Sequence, residues 1–166
     1  VTATKGYEPP EYKGYGNLAY LGIITCNVGQ PKGSGSKDIE IIRDGKITRT
    51  NLGQYDTFFY RGDPHEEYIG YVFSEAYSFD KVVFTEGMQF DNGGWFENGT
   101  LRIEALIDGS WKKLDVVSEP EYPNGNKQSD FGANFETYTF TFEPVKASGI
   151  RLIGSAGGSM HFISVA

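Results

Sequence analysis

The sequence predicts an all-β fold, an antiparallel β-sandwich of the jelly-roll type, and three observations support that prediction. First, the 166 residues include 22 Gly, 12 Phe and 11 Tyr, a composition rich in turn formers and large side chains that suits strands better than helices. Second, residues 101–116 largely alternate apolar and polar side chains on both sides of Asp108-Gly109, a pair that tight hairpin turns favour. Third, short strand-like segments recur along the chain with turn signals between them.

The individual elements follow from the local pattern. Residues 1–16, rich in Tyr, Pro and Gly, are predicted to be an extended lead-in or linker, and residues 17–166 to be one β-sandwich domain. One helical turn is expected near residues 36–41. The alternation of Tyr138, Phe140 and Phe142 with three Thr marks the clearest single strand. Besides the hairpin, the predicted strands are residues 17–28, 67–74, 77–85, 135–142, 150–153 and 160–165, and the main loops are residues 30–37, 48–64, 86–98, 120–134 and 154–159.

Charge and cysteine content limit the partners of the domain. The formal net charge of −7 argues against binding to nucleic acid or to an anionic membrane. The single cysteine, Cys26, lies in an apolar run and is expected to be a small buried side chain. No run of 18 apolar residues is present. Since the chain begins at Val1 and stops at Ala166 within an apolar run, we expect it to be a piece of a longer protein whose targeting signal lies outside it.

Motifs of catalysis are not found in the sequence. It contains no Gly-x-Ser-x-Gly, phosphate-loop, His-Glu-x-x-His or paired-cysteine motif, and only two His. Glu86 with Asp91 or Glu97 would be the one conceivable carboxylate pair, and solvated loop carboxylates are the expected interpretation. The sequence therefore predicts a protein that is not an enzyme.

The order of several segments resembles the discoidin-like domain, also called the coagulation factor 5/8 type C or galactose-binding-like domain. Bacterial members are mostly similar to family 32 carbohydrate-binding modules attached to glycoside hydrolases, including β-hexosaminidases. The resemblance implies a β-sandwich that binds ligands through loops at one end. The matching segments are residues 42–46 (an Asp-Gly loop), 67–73 (an early strand), 102–111 (a strand, an Asp-Gly turn and Trp), 149–152 (a strand containing Arg-Leu) and 163–166 (the start of the closing strand).

The resemblance also implies a structural Ca²⁺ beside the Asp-Gly loop. By position, its ligands would be the carboxylate of Asp44 and the main-chain oxygens of Ile41, Lys46, Arg49 and Ala166. Such a set suits an ion that takes about six to eight oxygen ligands. An ordinary Asp-Gly turn without a metal is the alternative.

The loop of residues 86–98 contains the first set of candidate ligand-binding residues. Sugars present C–H faces and hydroxyl edges, so a binding site needs an exposed aromatic platform with fixed polar groups around it. Trp95 or Phe96 would be the platform, and Asp91, Asn92 and Gln89 would supply polar atoms. Because adjacent side chains point apart, one aromatic is expected to be presented while the other covers the core. Galactose-binding relatives often have an Arg just before this loop, which residues 85–89 lack.

A second candidate set lies in the loop of residues 48–64 and just after it. We expect its residues to grip sugar hydroxyls from the same end of the sandwich, with packing of a tyrosine-rich loop on itself as the alternative. His161 is interpreted as an outward-facing structural residue of the last strand, and Arg61-Gly62-Asp63 as a chance tripeptide. The candidates are Tyr55, Tyr60, Arg61 and His65, with Asp56 and Phe59 beside them.

These expectations together predict a non-catalytic carbohydrate-binding module that binds a glycan or polysaccharide weakly. We expect a monomer that is joined to a catalytic domain of a glycoside hydrolase and is extracellular, periplasmic or displayed on the cell surface, without membrane insertion. The alternatives are a protein-interaction module without a sugar site and a spacer that only packs against its neighbour.

Overall fold

The computed structural model describes residues 16–60, 62–124 and 135–166. Its regular elements in this part of the chain are β-strands and three 3₁₀-helices, and none of the helices is long and apolar enough to cross a membrane. The strands are β1 (Ile23–Cys26), β2 (Tyr55–Asp56), β3 (Glu66–Thr85), β4 (Arg102–Ile107), β5 (Ser110–Lys113), β6 (Val117–Glu119), β7 (Thr137–Ser155) and β8 (Ser164–Val165), and the 3₁₀-helices are η1 (Leu18–Leu21), η2 (Ile39–Arg43) and η3 (Asn51–Gly53).

Two long strands, β3 and β7, connect both layers of an antiparallel β-sandwich. They pair from Glu66–Ser155 at one end to Thr85–Thr137 at the other. The register shifts between Val72 and Tyr77 and again between Phe79 and Lys81. Such irregularities bend strands and let them pass from one layer to the next. The first layer has the strand order β1-β3-β7-β4-β5. The second layer has the order β6-β7-β3-β8-β2, in which a single bridge between Glu86, just after β3, and Val165 of β8 joins the pair β8-β2 to β3.

The core between the layers consists of aromatic and branched side chains from alternate strand positions. Tyr138 and Phe140 are buried while Thr137 and Thr141 are exposed, so the alternation predicted for this segment is confirmed. Each fully buried side chain of this size contributes about 1.5–3 kcal/mol. The other large members of the core are Tyr55, Ile69, Phe73, Phe79, Phe84, Phe96, Ile103, Ile150, Leu152 and Ile163.

The predicted hairpin is present as β4 and β5. Asp108 has φ 50° and Gly109 φ 77°, and two successive positive values are what the favoured two-residue hairpin turn requires. Trp111 pairs with Leu106 and lies over the first layer, with the Arg151 guanidinium 4.2 Å from its ring centroid. Trp111 therefore packs on the outer face of the sheet.

A buried carboxylate ties three strands of the first layer together. Glu104 accepts hydrogen bonds from Arg102 Nε at 2.8 Å and from Arg151 Nη2 at 2.6 Å, and Arg102 also pairs with Glu66 at the start of β3. Burial disfavours the charged carboxylate, but these hydrogen bonds outweigh it and hold the pKa of Glu104 below its usual value. The beginnings of β3 and β4 are thereby fixed beside the end of β7.

Several predicted boundaries differ from the structure. Residues 17–28 contain η1 before β1 because the Asn17 side chain caps a helical turn by accepting the Ala19 N–H. The two strands predicted at residues 67–74 and 77–85 form the single bulged strand β3. Those predicted at residues 135–142 and 150–153 belong to the single strand β7. The last strand is shortened to Ser164–Val165, since His161 has φ 45°. The helical turn predicted near residues 36–41 is η2. The predicted lead-in, apart from Gly16, and residues 125–134 of the polar loop lie outside the described residues.

The turn assignment can be tested by Gly109→Ala. This substitution is expected to lower the free energy of unfolding by about 1 kcal/mol, because a Cβ is disfavoured in the left-handed region while no other atom lies within 4 Å of it. Urea unfolding followed by circular dichroism measures the change. Gly29→Ala is the matched control, since its Cβ also meets nothing within 4 Å and its φ is not left-handed. Equal losses in the two variants would contradict the assigned turn.

Candidate functional site

Three loops meet where β3 and β4 begin and β7 ends, and we call this region the loop end. Its described residues are 57–60, 62–65, 86–101 and 156–163. Main-chain hydrogen bonds join the three loops. The Ala156 N–H donates to the His65 oxygen at 3.1 Å, the Gly157 N–H to the Trp95 oxygen at 2.8 Å, and the Gly94 N–H to the Phe162 oxygen at 2.8 Å. The loops are therefore held in one arrangement, as a preformed binding site requires.

Two glycines in the third loop provide the space for Trp95. A Cβ on Gly157 would lie 2.3 Å from the indole Nε1 of Trp95, so the indole lies directly against the Gly157 main chain. Gly158 has φ 76°, and a Cβ there would lie 2.3 Å from the main-chain oxygen of Asn92. With this support beneath it, Trp95 stays partly exposed to solvent.

The neighbouring aromatic residue points the opposite way. Phe96 is 1% exposed and packs in the core against Phe84. Trp95 and Phe96 thus divide as adjacent residues are expected to, with Trp95 on the surface. Phe96 and Gln89, which is fully buried, are not presented at the surface, contrary to their expected role as binding residues. Both side chains fill the space beneath the loop.

Polar groups surround Trp95 on the same short stretch of main chain. Asp91 and Asn92 are exposed, as expected. The Glu97 carboxylate is also exposed and accepts the Gly158 N–H through one oxygen at 3.2 Å. His161 is partly exposed, and its Nδ1 lies 3.2 Å from the Ala156 oxygen. The sequence interpretation of His161 as a residue of the last strand missed its position at the loop end, although the small residues before it could have indicated a tight turn.

His65 is a structural residue at the edge of this site. Its Nδ1 lies 2.8 Å from the Asp63 oxygen and its Nε2 lies 2.9 Å from a carboxylate oxygen of Glu67. Glu67 is buried and also accepts a hydrogen bond from the Thr57 hydroxyl. The His65 ring centroid is 6.2 Å from that of His161. Both ring nitrogens of His65 are therefore engaged within the protein.

The second candidate set divides between core and surface. Tyr55 is fully buried and donates to the Val28 oxygen at 2.6 Å, and Asp56 is buried and accepts the Gly35 N–H at 2.7 Å. Burial raises the pKa of both side chains. Both side chains are therefore covered by the protein rather than presented at the surface, and their strand, β2, pairs with β8. Tyr60 and Phe59 are exposed, and Arg61 lies outside the described residues.

The predicted calcium ligands do not form a cluster rich in carboxylates. Asp44 is exposed, and its Oδ1 accepts the Lys46 N–H at 2.7 Å. The Ala166 N–H donates to the Thr85 main-chain oxygen at 3.0 Å. Within the described ranges, no group of three or more His, Cys, Asp or Glu side chains could hold a metal ion. The set of Ile41, Asp44, Lys46, Arg49 and Ala166 remains a prediction, and its fit would depend on main-chain oxygens.

The seat of Trp95 is tested by Gly157→Ala in a Trp111→Phe background, which leaves Trp95 as the single tryptophan. The new Cβ should push the indole outward, so the fluorescence maximum should move to longer wavelength. Gly62→Ala, with nothing within 4 Å of its Cβ, is the control and should leave the spectrum unchanged. An unchanged spectrum for Gly157→Ala would show that Trp95 does not lie against Gly157.

Comparison with known proteins gives different results for sequence and structure. The sequence matches no protein-family model and no curated protein. Among solved structures, the chain is similar to a family 32 carbohydrate-binding module from Clostridium perfringens in complex with GalNAc-β-1,3-galactose, at 17% identity and a TM-score of 0.60, with 89% of this chain and 93% of that chain covered.

Two further solved structures show the same likeness. A β-galactosidase structure of Streptococcus pneumoniae, BgaA, matches at 13% identity and a TM-score of 0.64, with 92% of both chains covered. The family 32 module of C. perfringens NanJ in complex with galactose matches at 17% identity and a TM-score of 0.58, with 89% of this chain and 91% of that chain covered. The chain therefore has the β-sandwich fold of family 32 carbohydrate-binding modules, as its resemblance to discoidin-like domains predicted.

Proposed function

We propose that this domain is a non-catalytic carbohydrate-binding module that binds a glycan at the loop end. The observation that carries the proposal is Trp95, a large aromatic side chain held partly exposed against Gly157. An indole face in this position can stack on the C–H face of a sugar ring. Its support is main chain rather than a mobile side chain, so little ordering is required when a ligand binds.

The polar groups beside Trp95 are suited to the hydroxyl edge of the same sugar. Glu97 uses one carboxylate oxygen for the Gly158 N–H, and we assign its other oxygen to accept from a sugar hydroxyl. The exposed side chain of Asn92 offers both a donor and an acceptor, and the Nε2 of His161 offers a third contact. All three residues bond to residues 156–160 or lie against them. Polar contacts can therefore surround a ring stacked on Trp95.

The solved structures that share the fold support this general function. Two of them contain galactose or GalNAc-β-1,3-galactose, and a third is the chitosan-binding module 1 of a chitosanase/glucanase from Paenibacillus, at 13% identity and a TM-score of 0.55. These ligands differ, so they support the class of ligand rather than one sugar. The acidic groups near Trp95, Asp91 and Glu97, favour a sugar without a carboxylate.

Binding to a single sugar should be weak. About 12 heavy atoms at roughly 0.3 kcal/mol each give about −4 kcal/mol, which corresponds to a dissociation constant near 1 mM. We therefore propose that the domain serves an attached catalytic domain of a secreted or surface glycoside hydrolase, such as a β-hexosaminidase. The module would raise the effective concentration of that domain at its polymeric substrate.

We also propose that Ca²⁺ binds at the Asp44 loop with the ligand set given above. Ca²⁺ at a hundred times its dissociation constant should stabilise the fold by about 2.7 kcal/mol and raise the melting temperature by about 5–10 °C. Asp44→Asn should abolish that rise, whereas Asp108→Asn, in the hairpin turn, should keep it. A melting temperature of the unmodified domain that neither rises with millimolar Ca²⁺ nor falls after chelation would refute the site.

The glycan site is tested by Trp95→Ala. A glycan array and affinity electrophoresis in polysaccharide gels should show binding by the unmodified domain and at least a tenfold loss in the variant. Trp111→Ala is the matched control, because Trp111 lies on the outer face of the first layer and should leave binding unchanged once its folding is verified. A domain that retains no glycan, or that binds equally well without the Trp95 ring, would contradict the proposal and favour a protein-interaction module.

A further inference from the structure

Tyr60 is held in an unfavourable backbone conformation that presents its ring to solvent. It has φ 53° and is 72% exposed. The left-handed region costs a residue with a side chain about 1–2 kcal/mol. Among the described residues, the other two non-glycine residues with positive φ are Asp108 in the hairpin turn and His161 at the loop end. Strain of this kind often marks a functional site, and two of the three cases lie at the loop end.

The Tyr60 ring is linked by aromatic contacts to the loop that carries Trp95. It packs edge-on against Phe58 at 4.8 Å between centroids, and Phe58 packs edge-on against Phe162 at 5.3 Å. Phe162 in turn supports the Trp95 loop, since a Cβ on Gly93 would lie 2.5 Å from its ring and its main-chain oxygen accepts the Gly94 N–H. Tyr60 therefore lies two aromatic contacts away from the ring that supports the Trp95 loop.

Phe59, the residue before Tyr60, is a second exposed aromatic side chain of this loop. It is 46% exposed, and Lys32 Nζ lies 5.8 Å from its ring centroid. Exposed aromatic groups that are fixed by packing and not used by the first sugar are suited to a second sugar of the same chain.

We propose that Tyr60 forms a second aromatic platform, so that the loop end binds an oligosaccharide of at least two sugar residues, one on Trp95 and a later one on Tyr60. This proposal rests on the proposed function. It adds that the ligand is a glycan chain rather than a single terminal sugar, because stacking on the second platform needs a ring already positioned by the first.

The test compares affinities within two matched series by isothermal titration calorimetry. The probes are galactose against GalNAc-β-1,3-galactose, and glucosamine against chitosan oligosaccharides of two to four residues, followed by size series of any other sugar that a glycan array retains. The unmodified domain should bind the longer member about threefold to tenfold more tightly, the gain expected of one added aromatic contact.

Variants at residue 60 assign that gain to the ring. Tyr60→Asn tolerates the left-handed backbone and removes the ring, so it should bind the monosaccharide unchanged and lose the gain with length. Tyr60→Phe should keep the gain. Tyr20→Ala is the control, because Tyr20 is similarly exposed at 59% but belongs to η1, and it should also keep the gain.

The outcomes separate this proposal from the proposed function. Glycan binding whose affinity does not increase with ligand length would overturn the second platform and leave the Trp95 site intact. An increase that Tyr60→Asn retains would do the same. A domain that binds no glycan of any length would overturn both. Loss of monosaccharide binding in Tyr60→Asn would place Tyr60 in the first site and so contradict the two-platform arrangement.

Discussion

The long antiparallel pairing of β3 with β7 determines how both layers of the sandwich and the loop end are arranged. Both strands run through the two layers of the sandwich, and the bulges between Val72 and Lys81 allow one ladder to serve both. The core forms because this bend places the inward faces of the two halves opposite each other. The same ladder ends at the Glu66–Ser155 pair, directly beside the loop end.

The candidate site continues this ladder beyond its last strand pair. Ala156, the residue after Ser155, donates its N–H to the oxygen of His65, the residue before Glu66. The Gly157 N–H then donates to the Trp95 main-chain oxygen, and the buried Glu67 carboxylate holds the His65 ring through its Nε2. The position of Trp95 is thus set by main-chain hydrogen bonds that continue from the sheet, which suits this loop residue to the platform role proposed for it.

Sequence reasoning predicted those features that depend on local pattern. The Asp108-Gly109 hairpin and the alternation around Tyr138 follow from period and turn chemistry alone. The same reasoning predicted that Trp95 and Phe96 point apart, but not which of the two faces outward. The burial of Tyr55 could not be predicted in this way, because it depends on pairing with Val165, a distant residue in the chain. The role of Gly157 likewise depends on an approach between two loops, and a glycine in a small-residue run gives no signal of what lies against it.

Contact between Trp95 and a glycan would be visible in the two indole N–H signals of a ¹H–¹⁵N correlation spectrum, assigned with the Trp111→Phe variant. Titration with a glycan that the domain retains should shift the Trp95 signal progressively and saturably. The Trp111 signal should stay in place, because its ring lies beneath Arg151 on the outer face of the first layer. A shift of the Trp111 signal alone, or of neither signal while the glycan binds, would contradict the placement of the glycan on Trp95.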